Sequence, residues 1–105
     1  MSDDELIAEF EAGTIHPFPH AMHVRVARAL SRKPDGYERM VAGIRRMAPT
    51  KYHVTITRAW WELIVAAEED LHDTSLLRRY YSSDALEAGR HRWVEPDLRP
   101  LGSWY

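Results

Sequence analysis

Apolar and polar residues follow a helical period in four successive stretches of this chain, and each stretch is bounded by turn-forming residues. The first, from about Asp3 to Ala12, gathers Leu6, Ile7 and Phe10 on one side, with Ser2 placed to cap it and Glu5 to close a capping box. Gly13 ends it. The next residues contain Pro17 and Pro19, each of which holds the residue before it in extended geometry, so this segment reads as a fixed connector. The second stretch runs from about His20 to Arg32. His20, His23, Ala27 and Leu30 share its inward stripe, while Arg25, Arg28 and Arg32 fall outside it. Lys33-Pro34-Asp35-Gly36 is turn chemistry. The third helix spans about Tyr37 to Met47, with Tyr37, Met40, Val41, Ile44 and Met47 inward. Thr50 is placed to cap a fourth helix that continues to about Asp70; carrying Trp60 and Trp61, it reads as the longest and central one.

After a short connection, Leu76, Leu77, Tyr80 and Tyr81 form a fifth helical piece, and a short turn of helix is predicted from Asp84 to Ala88. The tail has no periodicity. Its Trp93, Leu98, Leu101 and Trp104 are too apolar for a free end, so it is expected to pack over the helices. Tyr52 to Thr57 is the one segment with strong strand propensity, but its stripe of His53, Ile56 and Thr57 continues into Trp60 and Ile64, which favours helix. The predicted fold is therefore all-α: residues 1–105 form a single-domain antiparallel bundle of four main helices, with a short fifth helix and an ordered C-terminal wrap.

Composition narrows the functional classes. The 105 residues suit one domain, and 45% apolar content is enough for a core. Without cysteine, disulfides, iron–sulfur clusters and thiolate zinc sites are excluded. No apolar run approaches the roughly 20 residues of a membrane span, and the start Met1-Ser2-Asp3-Asp4-Glu5 is acidic where a secretory signal is basic, so no membrane partner and a cytoplasmic location are expected. A net charge of −2 with dispersed arginines gives no basic domain for nucleic acid. The sequence admits a homodimer without requiring one.

The candidate chemistry lies in the histidines. If helices one to four alternate in direction, helices two and four run the same way, and His20 and His23 meet His53 at one end. Three imidazoles could then hold a divalent transition metal, Zn, Cu, Ni or Fe, with an open position for water or a small-molecule substrate. Glu11 at the end of helix one could supply a fourth ligand or move a proton, as could Tyr80 or Tyr81. Trp60 and Thr57 could wall the substrate site. His16, His72 and His91 fall in loops or on polar faces. The basic pairs Arg45-Arg46 and Arg78-Arg79 could hold an anion, although such pairs usually form a solvated face. Two functions fit this pattern. One is a small metal-dependent enzyme of lyase, cyclase or isomerase type; the other is a non-catalytic ligand- or partner-binding domain whose histidines are structural.

Four motifs carry a resemblance: Phe18-Pro19-His20-Ala21-Met22-His23, Tyr52-His53 with Thr55, Thr57 and Trp60, Tyr80-Tyr81-Ser82, and Val94-Glu95-Pro96-Asp97-Leu98. Together they resemble a group of small uncharacterised bacterial helical proteins. The resemblance covers most of the chain and implies a helical fold, but carries no assigned activity.

Overall fold

Ser2 opens the first helix as its spacing predicts: its hydroxyl accepts the Glu5 amide and donates to the Glu5 carboxylate, both at 3.2 Å. In the computed structural model, which describes residues 2–15, 17–66 and 74–101, this helix is α1, Asp3–Ala12. It is followed by α2, His20–Ser31, α3, Gly36–Met47, and α4, Val54–Ala66. A 3-10 turn at Leu76–Arg79 and a short α5, Ser83–Ala88, complete the regular structure. All regular elements among the described residues are helical, and none of their helices is long and apolar enough to cross a membrane. The expected continuation of the fourth helix to Asp70 lies outside the described residues, as do His16, His72 and Trp104.

The central helix is α2 rather than α4. It packs against α1, α3 and α4, and buries Val24, Val26, Ala27, Ala29 and Leu30, which spread over more than one face. Aromatic content made α4 look central. What decides position is how many faces of a helix are apolar, and α2 carries its arginines on a narrow strip. Helices α1 and α3 approach closely at Gly43, where an added Cβ would stand 2.2 Å from Cζ of Phe10. Charge fixes the same arrangement from outside. Asp3 pairs with Arg32, Lys33 with Asp4 at 3.2 Å, and Glu11 takes Arg39 through two bonds of 2.9 and 2.5 Å. The start of α1 therefore lies beside the end of α2, an antiparallel pair as predicted.

α4 packs against α2 and meets both of its ends. Trp60 meets His20 at the start of α2, with ring centroids 4.6 Å apart. The next residue, Trp61, reaches Gly36 just past the end of α2, 3.2 Å from where a Cβ would stand.

The start of α4 also departs from expectation. Thr50 sits in a turn, and the helix begins at Val54. Its leading amides are taken up by chain from far along the sequence: Val54 N–H donates to the Arg90 carbonyl at 2.9 Å and Thr55 N–H to the Gly89 carbonyl at 3.0 Å. Gly89 must lack a side chain there, because a Cβ would fall 2.2 Å from the Thr55 hydroxyl oxygen. Thr55, fully buried, donates to the Arg92 carbonyl at 2.7 Å and accepts the Val94 amide at 3.1 Å. Tyr81 OH donates to the Val94 carbonyl, Asp97 accepts from both the amide and hydroxyl of Ser82, and Leu98 N–H reaches the Tyr80 carbonyl. The C-terminal segment is ordered largely through these polar bonds. Trp93 and Leu101 pack against the core, but the Leu98 side chain is 54% exposed, so apolar docking is not its part in the wrap.

Candidate functional site

Pro19 sets the first of the inward histidines, since its carbonyl accepts the amides of Met22 and His23 and starts α2 in register. Phe18, just before it, stacks on Phe10 of α1 at 5.6 Å and on the His23 ring at 6.2 Å. His23 is thereby pressed against an aromatic wall. It faces a cavity of about 450 Å³ between the start of α2, the end of α3 and the start of α4. Ile44 and Ile56 supply the other apolar walls, and Thr57 and His53 line it from α4. Among the described residues the His23 ring makes no hydrogen bond. Burial, with a smaller contribution from the neighbouring His20, pushes its pKa down to about 4, so the ring is neutral with one donor and one acceptor unspent.

His53 lines the same cavity but both of its ring nitrogens are engaged. Nδ1 accepts the Ile56 amide at 3.1 Å, which makes His53 a side-chain cap for α4, and Nε2–H donates to the Leu86 carbonyl of α5 at 2.7 Å. These partners fix the neutral tautomer. Desolvation lowers the pKa of this imidazole, partly offset by the Leu86 bond, and a second proton on Nδ1 would confront the Ile56 N–H. His20 goes elsewhere, edge-on to Trp60. The expected convergence of three imidazoles is therefore reduced to two rings on one cavity, because His20, although its ring centroid lies 6.2 Å from that of His23, is set against Trp60. No group of three His, Asp or Glu side chains among the described residues is placed to hold one ion.

The other expected site residues take structural places. Glu11 is paired with Arg39, its carboxyl held below the usual range mainly by that hydrogen bond, and its carbonyl accepts from Arg46. Tyr80 is fully buried with no partner for its hydroxyl among the described residues, and Tyr81 is locked to Val94, its phenol pushed up to about 12 chiefly by burial. Trp60 is 5% exposed and belongs to the core. Thr57 alone of this set lines the cavity.

Periodicity did not reveal the mouth. Lys51 and Arg90 line it, and an adjoining cavity of about 590 Å³, which shares Thr50 and Arg90, adds Arg45 and His91. Among the described residues no acidic side chain lines either cavity. The available signal was the basic run Arg90-His91-Arg92, whose position over α4 depends on the long-range bonds of residues 89–94.

The chain matches no protein-family model, no curated protein and no solved structure.

Proposed function

We propose that this domain binds a small molecule with an apolar body and an anionic head in the His23 cavity, as a non-catalytic ligand-binding module. His23 carries the proposal: a neutral imidazole, walled by Phe18 and facing a cavity with its hydrogen-bonding capacity unspent. Ile44 and Ile56 suit an apolar body, and His23 and Thr57 give it direction. Lys51 and Arg90, both exposed along the lining, suit a carboxylate or phosphate. His53 is structural in this reading. The metal-dependent enzyme reading draws support from His23 and His53 lining one cavity, but it requires His53 to give up one or both of its hydrogen bonds, at roughly 1 kcal/mol net for each. It is the weaker of the two.

Isothermal titration with octanoate, octanol and octylammonium tests the proposal. Octanoate is expected to bind best, and the double variant Lys51→Glu/Arg90→Glu to weaken it by about tenfold, or ~1.4 kcal/mol. His23→Leu should weaken octanoate while leaving the melting profile near neutral pH intact. Equal affinity for octanoate and octylammonium would overturn the assignment of an anionic head, and unchanged affinity in His23→Leu would remove the cavity from consideration.

A further inference from the structure

On the opposite side of α4 lies a second cavity, of about 460 Å³, lined by Tyr37, Trp61, Trp93, Arg58 and Glu62 together with Val54. Tyr37 and Trp61 stand with ring centroids 5.6 Å apart at 58°. Trp93, brought there by the C-terminal segment, is oriented by its Nε1–H, which donates to Glu95 at 2.9 Å. Its face is already in use. The Arg58 guanidinium lies over the Trp93 ring at 4.0 Å from the centroid and also approaches Glu62 at 3.5 Å.

Three aromatic rings and one carboxylate around an open cavity are the chemistry that recognises a weakly hydrated organic cation. The ring faces carry the negative end of the aromatic quadrupole, and Glu62 adds a full charge. A small metal ion would lose too much hydration against such walls, whereas an alkylammonium sheds little. Arg58 demonstrates the preference, since the chain places its own cation there. Its hold is light: Arg58 and Glu62 each keep 42% of the side chain exposed, and an exposed i, i+4 pair is weak.

We propose that the Tyr37–Trp61–Trp93–Glu62 cavity is a binding site for a small alkylammonium ligand, for which the Arg58 guanidinium is an internal competitor. The ligand cation displaces Arg58 into solvent, takes its place on Trp93 and pairs with Glu62. This site is independent of the His23 cavity. Its signature is a reversed sign, because removal of a residue that lines the cavity should strengthen binding.

The test uses the full chain and tetramethylammonium chloride, following the indole N–H signals of Trp61 and Trp93 in proton–nitrogen correlation spectra. Saturable shifts in the millimolar range are expected. Sodium chloride at matched ionic strength should not reproduce them, and tert-butanol, the neutral isostere, should bind at least about fivefold more weakly. Arg58→Ala should tighten tetramethylammonium binding roughly three- to tenfold, the cation–π contact and ion pair of the competitor being gone. Adding Glu62→Gln to Arg58→Ala should then weaken it. The absence of saturable shifts, equal binding of tert-butanol, or an Arg58→Ala variant that binds no better than the parent would each overturn the proposal.

Discussion

Replacing His53 by alanine removes two hydrogen bonds with one substitution, and the cost can be worked out bond by bond. The Ile56 amide loses its cap, which typically costs about 1 kcal/mol. The half-buried Leu86 carbonyl keeps the Gly89 amide at 3.2 Å but loses the imidazole donor, a net loss of roughly 1 kcal/mol. The ring is only 9% exposed, so its removal also gives up packing worth about 1 kcal/mol. The sum is about 3 kcal/mol, a fall of roughly 10–20 °C in melting temperature for a domain of this size. Urea and thermal unfolding at neutral pH measure it. His53→Asn can restore the cap but cannot span to α5, so it should recover about 1 kcal/mol of the loss. His91→Ala, at an exposed imidazole, serves as the reference. A His53→Ala cost within about 0.5 kcal/mol of the His91→Ala cost would refute the double-bonded role.

Acid sensitivity should track His23. Its folded pKa of about 4 lies below the unfolded 6.5, so the unfolded state binds protons first; stability is full above pH 6.5 and falls by up to ~3 kcal/mol as pH drops towards 4, and His23→Gln should flatten that limb in urea titrations across pH. Thr55→Val keeps the shape of a fully buried side chain but strands the Arg92 carbonyl and the Val94 amide, so a loss of about 2–3 kcal/mol is expected by chemical denaturation, and a loss under about 0.5 kcal/mol would mean that the tail adds nothing to α4. Zinc titration addresses the metal reading: His53→Ala should change zinc affinity no more than His91→Ala does, and a selective loss at His20, His23 and His53 together would restore the three-histidine site.

Local chemistry made most of the helix boundaries legible. The Ser2 cap on Glu5, the extended Pro19 before α2 and the turn before Gly36 are all contained within a few residues, and each holds. The inward stripe of His20, His23 and His53 was also legible, yet periodicity states only that a ring points inward, not what its nitrogens meet. For His53 the deciding partner is the Leu86 carbonyl, 33 residues away. The start of α4 failed for the same reason: Thr50 is a sound local cap, but the helix begins at Val54, where the carbonyls of residues 89 and 90 accept the Thr55 and Val54 amides. The convergence of three histidines assumed that all three rings share one cavity, whereas the Trp60 ring takes up His20.

The carbonyls of residues 89 and 90, which finish the first turn of α4, impose an order in time as well as in space. While the chain is being synthesised, α1, α2 and α3 have all of their mutual contacts available before Val54 is added, whereas the Val54 and Thr55 amides wait for some 35 further residues. Closing that loop is entropically costly and is rewarded late. The clasp should therefore be absent from the folding transition state. Weakening it through Thr55 is expected to leave the folding rate nearly unchanged and to accelerate unfolding, so that a contact made late sets how long the whole domain stays folded.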